Sequence, residues 1–409
     1  MATHTTLSYR STVDRDPFAF YEAVRTRGDI VWDDEMQAWL ATSYDAAKQV
    51  MRNDKVLFRH PYKDMLEHVP GLLEVEGPRN KNFLHGDEHT PFHRWFLHRF
   101  SPTAVDLWRD SLLVPIADRL IDEFAPAGRA ELVDDFADRF SIRVIAGVMG
   151  LPWQDDAWLA HAKELLDAKQ RFLDAHGNDP DGTVTATAIT AAKDLAELLM
   201  PFIDARCDGA ENDLISIMWR DGNSLRPDWC EEDIVSNVTH LFFAGTDTTT
   251  HAIANAFHAM LTTLGLPDQL RSGGRPAIER YAEETLRLWG SPHFRPRIAN
   301  VDTEICGVPI AAGETVVVLI VGANHDEQRF ACPHEIQFDR KAPRDHLSFS
   351  FGPQSCGGAA LARAEIQEAV ARVLERLPNM RLDAQAEPPA YTGFLLRSFR
   401  PLHVLFDPS

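Results

Sequence analysis

Phe349-Ser350-Phe351-Gly352-Pro353-Gln354-Ser355-Cys356-Gly357-Gly358, directly ahead of an amphipathic run over 361–377, is the stretch on which the reading of this chain turns. The run carries Ala362, Ile366, Ala369, Val373 and Leu377 on one helical face and stops at Pro378. It therefore predicts a helix with Cys356 at its N-terminal approach. Unpaired N–H groups and the helix dipole favour an anion there, which stabilises a thiolate. Gly352 and Gly358 would let backbone pass close to a flat, bulky group. Taken alone, a buried structural cysteine beside a glycine-rich turn explains these residues better, since free cysteine is among the most buried residue types.

Two further stretches lie upstream. Ala244-Gly245-Thr246-Asp247-Thr248-Thr249 falls in the middle of 231–264, where Ile234, Val238, Leu241, Phe242 and Ile253 keep helical spacing. With no proline and a single glycine, this segment predicts one long helix, longer than most globular helices. Gly, Asp and a run of Thr are poor helix formers, so the cluster predicts a local opening that aims an acid and an alcohol at a site. Threonines back-bonded to the preceding turn on a solvated face are the plainer reading. The apolar neighbours Leu241, Phe242, Phe243 and Ile253 argue against a solvated face. Glu284-Thr285-Leu286-Arg287 sets an acid and a base at i and i+3 on one helix face, by itself no more than a surface ion pair.

Outward from these stretches the chain reads as mainly α with a minor β portion, a single domain over 1–409 without internal repeat or linker. Asp16-Pro17 opens a helix that Gly28 closes, 30–32 and 38–42 are short strands, and 44–54 returns to helix. The stretch 60–86, with Pro61, Pro70, Gly71, Gly77 and Pro78, has no period and predicts a long functional loop. From Asp87 to about Leu288 the pattern is almost wholly helical. Short strands are expected over 301–321, irregular chain over 339–354 and a hairpin over 392–406.

Composition closes off several classes of function. Apolar residues at 44% and charged residues at 25% are ordinary globular values. The 41 Lys and Arg against 61 Asp and Glu give a formal charge of −20, which repels phosphate backbones and anionic lipid. Neither nucleic acid nor a membrane surface is an expected partner. The five cysteines (Cys207, Cys230, Cys306, Cys332 and Cys356) are scattered and form no CxxC pair, against a disulfide framework or a zinc ribbon. The polar N-terminus, with Arg10, Asp14, Arg15 and Asp16, reads as neither leader nor anchor, and no run reaches the roughly 18 apolar residues of a membrane span. A cytoplasmic protein is expected.

In this order the stretches resemble the cytochrome P-450 superfamily of haem-thiolate monooxygenases, over essentially the whole chain. Phe349, Gly352, Cys356 and Gly358 match F-x-x-G-x-x-x-C-x-G, and Ala244, Gly245, Asp247, Thr248 and Thr249 match A-G-x-D-T-T. Glu284 and Arg287 match E-x-x-R, Arg297-Ile298-Ala299 matches R-x-A, and Asp87-Glu88-His89-Thr90 matches the E-H-T that opens a haem-facing helix in bacterial members. Ala323 to Asp326 and Phe338-Asp339 match further landmarks. The resemblance implies non-covalent haem b with Cys356 as axial thiolate, whose electron push favours O–O cleavage. It implies further haem contacts at His93, Ala244, Phe349, Gly352, Gln354 and Gly358, and propionate contacts from His89 and Arg297. Asp247 and Thr248 would relay protons, and Glu284 with Arg287 would be a structural pair. The implied reaction takes O2 and two singly delivered electrons and oxidises, most simply hydroxylates, a small organic substrate.

Several positions depart from the pattern. Gln354 stands where bacterial members carry a histidine, and His93 where they carry an arginine. Ser350 replaces a glycine, Gly357 an apolar residue and Ser291-Pro292 the usual Pro-Val. The segment 338–346 is one residue short, which leaves the third member of the Glu284–Arg287 network open between Arg340 and Arg344.

The substrate is expected between the 60–86 loop, the long helix, the segment after Trp289 and the Phe394-Leu395 turn, with His240, Phe243, Phe294, Phe394 and Leu395 lining it. His240, Ala244 and Thr248 are four apart and share a helix face. The polar His240, His293 and Arg295 favour a functionalised natural product over a bare hydrocarbon or steroid. A small acidic ferredoxin is expected as electron donor over the Cys356 side, on His89, His93, Arg94, His98 and Arg99 with Arg363 nearby. Arg94 and Arg99 merely paired with neighbouring carboxylates is the alternative. Competing classes are a metal site on His85, His89 and His93, a haem carrier without catalysis, and oxidative coupling, nitration or peroxide-driven chemistry on the same fold.

Overall fold

The long helix expected over 231–264 runs from Glu231 to Thr262, 32 residues without a break, in a computed structural model that describes residues 16–175 and 179–408. The N-terminal stretch read as neither leader nor anchor lies, through residue 15, outside the described residues. The helices that position the site are α1 (Tyr44–Arg52), α2 (Leu72–Glu76), α3 (Gly86–Arg99), α4 (Asp138–Met149), α5 (Asp156–Ala175), α6 (Glu231–Thr262), α7 (Leu266–Trp289) and α8 (Ala359–Arg376).

Helix α6 starts cleanly because Asp233 accepts a hydrogen bond from the backbone N–H of Cys230 at 2.9 Å. Glu231, Glu232 and Asp233 also put negative charge at the positive end of the dipole. Ile234, Val238, Phe242, Ile253, Phe257 and Met260 bury in the main core cluster, each contributing about 1.5–3 kcal/mol.

The expected opening at Gly245–Thr249 is not there. Thr246 and Thr248 donate their hydroxyls to the carbonyls of Phe242 and Ala244 at 2.7 and 2.8 Å, so the back-bonded arrangement holds in a continuous helix. Gly245 has a packing cause: α4 crosses so closely that a Cβ there would sit 2.8 Å from Ile145 Cγ1.

The β portion packs against these helices, with Arg397, Ser398 and Phe399 hydrogen-bonded to His251 and Asn255 of α6. Strands β1 (Ile30–Asp33), β2 (Ala38–Ala41), β3 (Phe58–Arg59), β4 (Arg129–Glu131), β5 (Phe294–Ala299), β6 (Thr303–Ile305), β7 (Val308–Ile310), β8 (Thr315–Leu319), β9 (Arg381–Leu382), β10 (Ala390–Gly393), β11 (Arg397–Arg400) and β12 (His403–Leu405) make four sheets. The largest has the order β1-β2-β8-β5-β3, parallel only between β2 and β8. The expected hairpin over 392–406 is shorter: β10 pairs with β11, and β12 leaves to pair with β4 and β9. The stretch 60–86 is not bare loop but holds short helical turns, among them α2 and Lys81–Phe83.

Candidate active site

The cysteine loop is pinned before it reaches α8. Asn324 accepts from the Leu347 N–H at 2.7 Å and donates to Ser348 Oγ at 2.9 Å, and Ser348 Oγ donates to the Leu286 carbonyl at 2.6 Å. The Cys356 N–H closes the loop on the Phe349 carbonyl at 2.8 Å, and the Phe349 ring carries the Arg363 guanidinium 4.4 Å from its centroid. Gly352 has φ +75°, and a Cβ there would meet the Met51 carbonyl at 2.7 Å. Its glycine therefore seats the loop on α1, which corrects the expectation that it admits a flat group. Gly358 has only Cys356 Sγ at 4.0 Å from its Cβ position, so the space beside the sulfur is kept. Ser350, where a glycine was expected, adopts φ +61° with its buried hydroxyl unpartnered among the described residues. Gln354 ends the turn Gly352–Gln354.

Burial pushes the Cys356 thiol up, while the Gly358 N–H and the charges of Lys81, Arg295 and Arg363 pull it back. The residue is nonetheless exposed. A side chain hemmed in by protein and still reachable opens onto an interior recess. On α6, otherwise largely buried through its middle, His240, Phe243, Ala244, Gly245 and Thr248 are partly exposed. Lys81 acts on the charge of both Cys356 and His240, so one cation stands near both the sulfur and this strip.

Asn82, on the turn after Lys81, meets His240 Nδ1 at 3.3 Å. Burial, with Lys81 and Lys169 nearby, holds His240 neutral. Its Nδ1 accepts from the Asn82 amide, which leaves the proton on Nε2. Lys169 stands 5.0 Å over the Phe243 ring and pairs with buried Glu76 at 3.2 Å, while Asn80 donates to Glu76 at 3.0 Å. Of the other expected pocket residues, Phe294 is withdrawn, while Phe394 and Leu395 stay half-buried. Phe294 is buried in a core cluster with Phe20, Tyr21, Leu40 and Val317, and Phe394 and Leu395 pack against that cluster. The rings of Phe294 and Phe394 lie 5.3 Å apart. His293 is likewise withdrawn, held between the hydroxyls of Tyr21 and Tyr391 at 2.7 Å each.

Asp247 and Thr248 part company. Thr248 lies on the recess strip; Asp247 is buried and turned to Lys163 of α5, with Oδ1 at 3.5 Å from Nζ. Burial first, then Asp167 and Asp138, push the Asp247 carboxyl up to about 6 against the pull of Lys163. Lys163 also pairs with Asp167, whose side chain is 39% exposed. A chain of ionisable groups thus runs from solvent through Asp167 and Lys163 to Asp247.

Glu284 and Arg287 are fully buried partners at 3.0 and 2.9 Å, and the open third place belongs to Arg340, which donates to Glu284 at 2.8 and 3.1 Å. Arg344 instead serves the neighbouring Glu283, together with His346 and Arg363, at 3.2, 3.0 and 2.8 Å. Two adjacent carboxylates on α7 thereby hold the segment before the cysteine loop and the first turns of α8.

On α3, His89 and His93 stack with centroids 5.2 Å apart, and His93 Nε2 meets Ser355 Oγ at 3.3 Å. Burial lowers His89 to about 3 and lowers His93. His85 precedes the helix as its N-cap, and among the described residues no group of three or more His, Cys, Asp or Glu is placed to hold a metal, so the three-histidine site is discarded. The basic docking segment shrinks: His89 is buried, His93 half-buried, Arg99 paired with Asp221, and only Arg94 and His98 are exposed. Arg363 is held by Glu283. Arg297 is buried, with Nε 2.8 Å from Asp54.

The recess fits a haem by its own chemistry. A cysteine at a helix N-terminus opens onto it, the small Ala244 lies one turn before Thr248 on its wall, and the charges of Lys81 and Arg295 act on the sulfur. Lys81, Asn82, Lys163, Lys169 and Glu283 escaped the sequence reading. The first two lie in the aperiodic stretch, the lysines of α5 carry no motif, and Glu283 is hidden beside one.

A family model for cytochrome P450 matches residues 187–402. The cytochrome P450 monooxygenase PikC of Streptomyces venezuelae is 30% identical over 95% of this chain and 91% of its own. The mycinamicin IV hydroxylase/epoxidase of Micromonospora griseorubida is 30% identical over 88% and 87%. Among solved structures, CYP109B1 from Bacillus subtilis superposes with a TM-score of 0.78 at 26% identity, over 96% of this chain and all 100% of that one. CalO2 superposes at 0.86 over 97% of each chain, a likeness of fold at 23% identity.

Proposed function

The chain belongs to the cytochrome P450 family, and from that premise we propose that it hydroxylates a small, functionalised natural product with haem b held by Cys356. What supports the reading is an exposed Cys356 thiol and a partly exposed Ala244–Thr248 strip of α6, both near Lys81, with a chain of ionisable groups behind Thr248. Haem, when bound, supplies the dioxygen-activating chemistry that side chains lack. The chain's own residues then have three tasks.

Cys356 supplies the thiolate, and the Gly358 N–H and nearby cations offset part of the burial that raises its thiol. Thr248 holds a hydroxyl proton at the recess, parked on the Ala244 carbonyl at 2.8 Å. Asp247, at about 6, gives and takes a proton near neutral pH, where a general acid–base group works best, and Lys163 with Asp167 reconnects it to solvent. Substrate orientation falls to His240 Nε2–H and to the polar cover of Asn82, Lys169 and Glu76. Those groups suit oxygen functions on the substrate, in keeping with a relative that is a mycinamicin IV hydroxylase/epoxidase. A ferredoxin-type donor docking near Arg94 and His98 is the fitting electron source, and a cytoplasmic location belongs to the same reading.

The test is turnover with a surrogate ferredoxin and its reductase under isotopically labelled dioxygen, on compounds first selected by the spin-state shift they cause. Products carrying one labelled oxygen are expected. Dimeric or nitrated products without label would replace hydroxylation by coupling or nitration.

A further inference from the structure

Two cations face the recess with neither an ion pair nor a hydrogen bond to any described residue: Lys81 and Arg295. Lys81 Nζ lies 5.5 Å over the Phe96 ring, and Arg295 projects from β5 next to Tyr62 and Arg297. The Phe96 side chain under Lys81 lies 3.2 Å from the Cβ position of Gly357, the residue after Cys356, and Arg295 is two residues from Arg297 on the same strand. The charge of Cys356 acts on both cations, whose pKa burial lowers. Unpaired charge in so enclosed a place is costly, so the pair marks where negative charge belongs.

Three other basic groups near this end of the recess, Arg297, His89 and His93, are ion-paired or uncharged. Arg297 stands against buried Asp54 at 2.8 Å. His89 and His93 are stacked on each other, and burial keeps them neutral. Gln354 carries no charge. Glu76, the acid acting on Lys81, is committed to Lys169 at 3.2 Å. Haem b brings two carboxylates, and two unneutralised cations await them.

We propose that Lys81 and Arg295 are the charged anchors of the two haem propionates, standing in for the charges that Gln354 and His93 do not supply. The inference rests on the haem-thiolate reading above. An acidic substrate is the other chemistry that two cations would suit, and the experiment separates the two.

The measurement is transfer of haem from purified holoenzyme to apomyoglobin. Lys81→Met and Arg295→Leu are each expected to speed haem loss at least about tenfold, the scale of a lost hydrogen bond to a charged group, and the double variant more than either. Lys81→Arg and Arg295→Lys, which keep the charge, stay near the wild-type rate. If a neutral variant does not fold, Lys81→Gln and Arg295→Gln supply the same comparison. Wild-type haem loss from the neutral variants overturns the proposal. If those variants instead lose the spin-state response to dodecanoate, the cations belong to the substrate. A wild-type holoenzyme without the red-shifted carbon monoxide band would sink the haem-thiolate reading on its own, whatever the variants do.

Discussion

Replacing Asp247 by asparagine should stabilise the protein at alkaline pH while impairing its chemistry. The carboxyl is buried against Lys163 and stands at about 6 rather than 3.8. Because the folded protein holds this proton more tightly than the unfolded chain, the sign is fixed. Its contribution is fully present below about pH 4 and is lost as pH rises through about 6. Moving the pKa from 3.8 to about 6, at 1.36 kcal/mol per tenfold, amounts to about 3 kcal/mol. That figure already contains the attraction to Lys163, which in the variant keeps Asp138 and Asp167 as neighbours. Asparagine has the size of the protonated acid and no titration. Urea unfolding of the haem-loaded protein, followed by circular dichroism from about pH 5 to about pH 8, should show the wild type losing about 1.4 kcal/mol relative to Asp247→Asn, the rest of the total having gone below about pH 5. Parallel curves, or a variant less stable at about pH 8, would refute the idea that burial sets this carboxyl. Slower turnover in the more stable variant is the trade expected when a destabilised group is retained for function.

Three more outcomes follow from single side chains. Thr248→Ala should leave substrate affinity nearly unchanged and divert electrons to peroxide or water, read as peroxide formed per reduced cofactor consumed; product yield equal to wild type would remove Thr248 from the relay. Ser350→Gly relieves a left-handed serine with an unpartnered buried hydroxyl and should raise stability by about 1–2 kcal/mol in urea unfolding; a destabilised variant would mean the hydroxyl is used. Arg340→Met strips two hydrogen bonds from buried Glu284 and should cost about 3–5 kcal/mol, whereas Arg344→Met, whose side chain is 69% exposed, should cost no more than about 1 kcal/mol. Equal costs would mean the two arginines share Glu284.

What could be read in the sequence, and what could not, divides along local and tertiary causes. The bounds of α6 were legible because an acidic first turn and apolar spacing are written in consecutive residues. The same helix misled at Gly245, whose cause is the side chain of Ile145 on another helix, a contact with no sequence signal. The choice between Arg340 and Arg344 was equally out of reach, since the path of a short irregular segment decides which guanidinium meets Glu284. Phe294 was within reach and was misplaced. Strand residues alternate in direction, so a strand that turns Arg295 to the recess turns Phe294 into the core. The spacing that sets His240 on one partly exposed strip with Ala244 and Thr248 is legible, but its partner Asn82 sits in the aperiodic stretch, where no spacing rule applies.

Haem ligation rests on Cys356. Ferrous protein treated with carbon monoxide should show the strongly red-shifted Soret band of thiolate-ligated haem, and Cys356→Ala should abolish it. Each of the other cysteines, Cys207, Cys230, Cys306 and Cys332, should be replaceable without effect on that band. A Cys356→Ala protein that keeps it would contradict the assignment outright.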